Sequence, residues 1–182
     1  MQKIKIIFIH GNGASSWQFA WTPWLKNELD KIGVESIFET FPDPKLARAE
    51  YWLPHLKNLN ADKNTLLVGW SSGAVASMRY VEENKILGSL LVAPCYNDLG
   101  LESEKVSGYY DKDWNWDKIR ENQKYIGMFY SKNDEFIPYE DFEFIKENLK
   151  PDYVYTSENK GHFMNQTEFP ELLEYIKKIL DK

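Results

Sequence analysis

The sequence predicts an α/β fold: a doubly wound, mainly parallel sheet of about six strands flanked by helices, as one domain over residues 1–182. Three observations lead there. Short apolar runs alternate with stretches of helical periodicity, which is the pattern of βαβ units. The runs are continuously apolar, as strands buried on both faces must be. The chain has 182 residues, enough for one core without disulfides or metals to hold it.

The strand candidates are 3–9, 34–40, 64–69, 86–92, 125–130 and 152–156, with the second and last the weakest. Helices are expected between them. Residues 17–31 would place Trp17, Trp21, Trp24 and Leu25 on one face, a stripe that suits core packing or the wall of an acyl pocket. Residues 44–58 read as a poorer helix, interrupted by Pro54. The segment 72–83 follows the third strand directly, with small Ala74, Ala76 and Ser77 suited to close approach to a sheet. Residues 139–149 gather Phe142, Ile145 and Leu149 on one side. The last helix, about 169–180, has Pro170 in its first turn and Lys177 and Lys178 near its negative pole. Residues 94–123 join two strands with no strand of their own. With Tyr109, Tyr110, Trp114 and Trp116 they form either a small lid or a solvated excursion with one short helix near 115–121.

Composition narrows the function. The net charge is −6 and no basic stripe appears, which argues against nucleic acid. No apolar run approaches the ~18 residues of a membrane span, and the opening Met1–Ile9 run is too short for a signal h-region and lacks a small-residue cleavage site. The lone Cys95 suits a reducing compartment, so the expected location is cytoplasmic.

In such sheets ligands bind beyond the carboxyl ends of the strands, so chemistry is sought after each strand. Gly69-Trp70-Ser71-Ser72-Gly73 matches Gly-x-Ser-x-Gly. The bare pattern is weak and also describes a glycine-rich turn with capping serines. Its setting, between the apolar strand Thr65–Val68 and the helix opening at Ala74, is that of a nucleophile elbow. Ser71 is then the nucleophile, and the Ser72 N–H an oxyanion donor at a helix N-terminus. A serine needs a base. Of the three histidines, His10, His55 and His162, the last lies between the final strand and the final helix, where Ser71 would emerge. The acid that orients it is sought after the fifth strand, in Ser131–Pro138. Asp134 is favoured over Glu135 for its shorter reach, and Asp98, Asp111 and Asp113 are rivals in the long loop. The chain order Ser71, Asp134, His162 is that of α/β-hydrolases.

The turn His10–Ser16 offers the backbone N–H of Asn12, or failing that Gly13, as second oxyanion donor. A rival reading takes Gly11-x-Gly13-x-x-Ser16 with Glu39 as a dinucleotide site. The third glycine is absent and Trp17 follows at once. No cofactor is expected. Metal is not expected either, because the three histidines have no ligand spacing and Cys95 is alone.

The chain also resembles the small serine hydrolases of the retinoblastoma-binding-protein-9 type, related to bacterial YdeN-like proteins, in the α/β-hydrolase superfamily. The resemblance runs over essentially the whole length. It is carried by Gly11-Asn12-Gly13, Phe41-Pro42-Asp43-Pro44, Trp52-Leu53-Pro54, Ser71-Ser72-Gly73-Ala74, Met78-Arg79-Tyr80, Asp98-Leu99-Gly100, Ser107-Gly108-Tyr109 and Gly161-His162-Phe163. It implies Ser71 as nucleophile, Asp134 as acid and His162 as base. Glu135 departs from it, standing where the family often has proline. The retinoblastoma-pocket motif Leu-x-Cys-x-Glu is absent, since Cys95 lies between Pro94 and Tyr96 with no acid two residues on. Binding of that pocket is therefore not expected. The expected activity is hydrolysis of a small ester, thioester or amide through an acyl-enzyme, on a small-molecule acyl substrate. The alternative is a protein-interaction module on a hydrolase scaffold.

Overall fold

The computed structural model describes residues 3–13 and 16–181; Met1, Gln2 and the Ala14-Ser15 part of the first turn lie outside the described residues. Among these residues six strands form one parallel sheet in the order β2-β1-β3-β4-β5-β6. They are β1 (Lys5–Ile9), β2 (Glu35–Phe38), β3 (Thr65–Trp70), β4 (Gly88–Val92), β5 (Tyr125–Ser131) and β6 (Tyr153–Ser157). All six coincide with the strands expected from apolar runs. The two weaker expectations are the two edges. β3, β4 and β5 are buried throughout, whereas β6 alternates half-buried with exposed positions and β2 has no buried residue. An edge strand lacks the second neighbour and the full cover that make a central run continuously apolar.

Among the described residues seven helices flank the sheet: α1 (Thr22–Lys31), α2 (Ala49–Asn58), α3 (Ser72–Glu83), α4 (Glu102–Lys105), α5 (Trp116–Glu121), α6 (Tyr139–Leu149) and α7 (Pro170–Leu180). The chain moves outward from β1 to β2, then back across β1 to β3 and onward. With right-handed crossovers, that reversal puts α1 on the opposite face from α2, α3, α5 and α6. The contacts agree: α3 touches α2 and α5, and α5 touches α6, while Trp21 at the start of α1 packs edge-on against Phe169 at the start of α7. The reversal leaves a crevice beyond the carboxyl ends of β1 and β3, where a ligand is expected.

Two helix expectations are corrected. The first helix begins at Thr22, not at residue 17, because Pro23 has no N–H to give and its ring would clash with a carbonyl four residues back, so it fits only a helix's first turn, and Ala20 takes φ +55. Trp17 is therefore in the loop, edge-on to Phe38, and the fully buried residues there are Trp21, Thr22, Leu25 and Leu29. The second helix begins at Ala49, after positive-φ turns at Asp43 and Ala47. It runs through Pro54 rather than being interrupted. The carbonyl that Pro54 leaves unpaired is that of exposed Glu50, where water can serve it. The four-residue α4 was not expected.

Candidate active site

Ser71 sits between β3 and α3 with φ +57 and ψ −120, a strained conformation for a residue with a Cβ. The corner holds because its neighbours are glycines. A Cβ on Gly73 would lie 2.0 Å from the Ile9 carbonyl oxygen, and one on Gly69 would lie 2.4 Å from that of Gly73. The Ser71 N–H donates to the Val92 carbonyl at 2.8 Å, tying the corner to β4. Ser72 is the first residue of α3, so its N–H has no acceptor within the helix.

The first turn meets this corner. Gly11 lies close enough that a Cβ there would be 3.3 Å from the Ser71 Cβ. Of the two donors considered, the Gly13 N–H is occupied by the Lys45 carbonyl at 3.1 Å. The Asn12 N–H has no partner among the described residues. Gly11 of this turn thus faces the elbow, and Glu39 pairs with His55 Nε2 at 2.5 Å.

His162 follows β6 and is buried. Its Nδ1 meets Asp134 Oδ2 at 2.8 Å, while Asp134 Oδ1 accepts from the N–H groups of Phe136 and Ile137 at 2.9 and 3.0 Å. The carboxylate is fully buried, so its charge is met by those three donors rather than by water. With Nδ1–H given to Asp134, Nε2 is the basic nitrogen. Ser71 and His162 line the same cavity. Their mutual hydrogen bond is not made among the described residues; such contacts commonly tighten only with substrate. Asp111 and Asp113 are exposed, and Asp98 caps its own turn at Gly100.

His10 has a structural part. The Phe41 N–H donates to its Nε2 at 3.0 Å and its Nδ1 meets the Gly11 carbonyl at 2.8 Å. Accepting at Nε2 requires a neutral ring, and burial holds its pKa below the usual histidine value. Burial likewise pushes the Cys95 thiol up to about 12, so it is no nucleophile at neutral pH.

The cavity measures about 570 Å³. Trp17, Trp70, Val75, Leu99 and Ile137 make its walls mainly apolar, and Phe19, Leu101, Phe136 and Met164 line it with substantial exposure, as a rim. Trp70 both borders the cavity and packs inside: its Nε1–H donates to the His162 carbonyl. The long segment 94–123 combines the two expectations: a lid portion lines the cavity through Leu99, Leu101, Glu104 and Tyr110, and the short helix expected near 115–121 is α5. Glu104, whose pKa burial raises, accepts from Asn12 Nδ2 at 2.5 Å. The lid's far end is anchored by buried Arg79, which donates to the carbonyls of Tyr109, Lys112 and Asp113, pairs with Glu82 and lies 3.5 Å over the Trp114 ring. Neither Glu104 nor Arg79 was singled out as a site residue from sequence. A buried arginine has no signature short of knowing what surrounds it.

A strained serine corner at the switch point of a parallel sheet, facing a histidine that follows the last strand, defines the class: this is an α/β-hydrolase. Comparison with known proteins gives the family. The chain belongs to the serine hydrolase family, whose model matches residues 6–182. It is 36% identical over 179 residues to serine hydrolase RBBP9 of Rattus norvegicus, covering 97% of this chain and 95% of that relative. Among solved structures it is similar to the ydeN gene product from B. subtilis, with a TM-score of 0.88 and 25% identity over 99% of this chain and 100% of that one. Est1E from Butyrivibrio proteoclasticus aligns with a TM-score of 0.77 over 99% of this chain and 89% of that one; at 15% identity the likeness speaks for the fold alone. The protein is thus an enzyme, a serine hydrolase, as the motif resemblance implied.

Proposed function

We propose that this hydrolase cleaves a small ester, thioester or amide by way of an acyl-enzyme. Ser71 Oγ bonds to the acyl carbon as its proton passes to His162 Nε2. Asp134 holds the imidazole and stabilises its cationic form. The carbonyl oxygen, now an oxyanion, is met by the N–H groups of Asn12 and Ser72. Collapse breaks the bond to the leaving group, which takes the proton from His162. Water then repeats the sequence and frees Ser71. The observation that carries this reading is the 2.8 Å Asp134–His162 contact at the wall of a cavity that Ser71 also lines. The cavity's size and apolar walls favour a small substrate with a hydrophobic acyl group.

The same reading treats residues 1–182 as one domain working in the cytoplasm on a small molecule. No helix among the described residues is long and apolar enough to cross a membrane, and Cys95 is a buried free thiol.

The test is covalent labelling with a fluorophosphonate probe, alongside turnover of p-nitrophenyl acetate. The parent should label and turn over, and Ser71→Ala should do neither while melting normally, with a loss of about 10⁶-fold in kcat. Activity within tenfold of the parent in Ser71→Ala would remove Ser71 as nucleophile. A parent that neither labels nor turns over would favour the interaction-module alternative.

A further inference from the structure

Beyond Asp134, the loop that carries it makes a second set of contacts to His162. Three consecutive backbone N–H groups of the histidine loop end on three alternating side chains of the acid loop. The Lys160 N–H donates to Ser131 Oγ at 2.9 Å, the Gly161 N–H to Asn133 Oδ1 at 2.9 Å, and the His162 N–H to Glu135 Oε2 at 3.0 Å. Ser131 Oγ in turn donates to Asn133 Oδ1 at 2.8 Å, joining the first two rungs.

The origin of this arrangement lies in the sheet. β5 and β6 pair in parallel up to Ser131 opposite Ser157, and the Lys132 N–H still reaches the Ser157 carbonyl at 2.8 Å. Beyond that residues 132–137 leave the sheet in a turn, with the Asp134 N–H donating to the Ser131 carbonyl at 3.3 Å. The N–H groups of residues 160–162 are then received by the side-chain oxygens of Ser131, Asn133 and Glu135. Gly161 is part of the design: it takes φ +53, and a Cβ there would lie 2.8 Å from Glu135 Oε2, in the path of the carboxylate.

We propose that Ser131, Asn133 and above all Glu135 are positioning residues for His162, acting through its backbone; this rests on His162 being the base. Asp134 orients the ring, and Glu135 sets where the ring's Cα stands. The carboxylate–amide bond of Glu135 is charge-assisted, but the residue is exposed, so it contributes little to global stability. Its contribution falls on the geometry of proton transfer, where a misplacement of about 1 Å costs up to about 100-fold.

The experiment compares Glu135→Ala, Glu135→Gln and Ser71→Ala in the full chain, using p-nitrophenyl acetate turnover, thermal melting and the downfield proton NMR signal of the His162 Nδ1–H. Glu135→Ala should lower kcat about tenfold with KM and melting temperature little changed, and should broaden or shift the NMR signal. Glu135→Gln keeps an amide oxygen to accept the same bond and should restore most of kcat. Gly161→Ala, which pushes the carboxylate away from the other side, should resemble Glu135→Ala. Parent-like kcat in Glu135→Ala with Ser71→Ala inactive would overturn the positioning proposal alone. A Glu135→Gln as impaired as Glu135→Ala would also overturn it. An active Ser71→Ala would instead overturn the functional reading beneath it.

Discussion

The indole N–H of Trp70 donates to the carbonyl oxygen of His162 at 3.0 Å, so the residue next to Ser71 holds the loop of a histidine 92 positions later. Together with Asp134 on Nδ1 and Glu135 on the backbone N–H, His162 is fixed at three points. Trp70→Phe keeps most of the ring but removes the donor and leaves a buried carbonyl short of a partner. It should cost about 1–3 kcal/mol of stability and about tenfold in kcat, measured by urea unfolding and ester turnover. Unchanged kcat would show that the carbonyl needs no such restraint.

Asp134→Asn tests the proposed orienting acid without disturbing its turn. The amide oxygen can still accept from Phe136 and Ile137, while the amide NH₂ would face Nδ1 and favour the wrong tautomer. kcat should fall about 10⁴-fold with the fold intact. A fully active variant would pass the role to another acid.

Arg79 offers a stability test. Its guanidinium serves three carbonyls of the lid and the buried carboxylate of Glu82. Removing it leaves Glu82 without its close partner in the interior, so Arg79→Ala should cost about 3–5 kcal/mol. Arg79→Lys should recover little, since one ammonium cannot span the same fork. Urea unfolding of both variants gives the answer, and a lysine variant as stable as the parent would contradict the anchor.

His10 makes stability depend on pH. Burial lowers its folded pKa, so between that value and the unfolded one, about 6.5, the unfolded chain binds more protons. Its contribution is whole above about 6.5 and lost as pH falls toward the lowered folded value. The melting temperature of the parent should decline over that window. His10→Gln, which does not titrate, should show a shallower decline; an equal slope would place the effect elsewhere.

The architecture was legible where burial leaves a pattern. β1, β3, β4 and β5 stand out as continuous apolar runs because both faces are covered; β2 and β6 are fainter because they are edges. The start of α1 was misread because Trp17 and Trp21 happen to fall at helical spacing, while Pro23 sets the actual entry. At the site, residues that follow strands were traceable because all strands end on one side of a parallel sheet. Glu135 was weighed as the rival acid to Asp134 and noted as a departure from the family's proline, but not as a holder of the histidine loop. Polar residues at 131, 133 and 135 carry no apolar period, and their meaning depends on a partner loop nearly thirty residues away. Glu104 and Arg79 were hidden for the same reason.

The Arg79 anchor has a bearing on traffic. Arg79 lies on α3, the helix that begins directly after Ser71, and it clasps the far end of the lid, while Asn12 and Asp141 hold the near end through Glu104 and Asn97. Cover and nucleophile are therefore tied to the same helix. On the proposed function, substrate is expected to enter through a standing aperture bordered by Phe19, Leu101, Phe136 and Met164, rather than beneath a swinging door. The mouth would then act as a sieve, by the girth and greasiness of what reaches it, and trimming Leu101 or Phe136 should admit bulkier esters with the triad untouched.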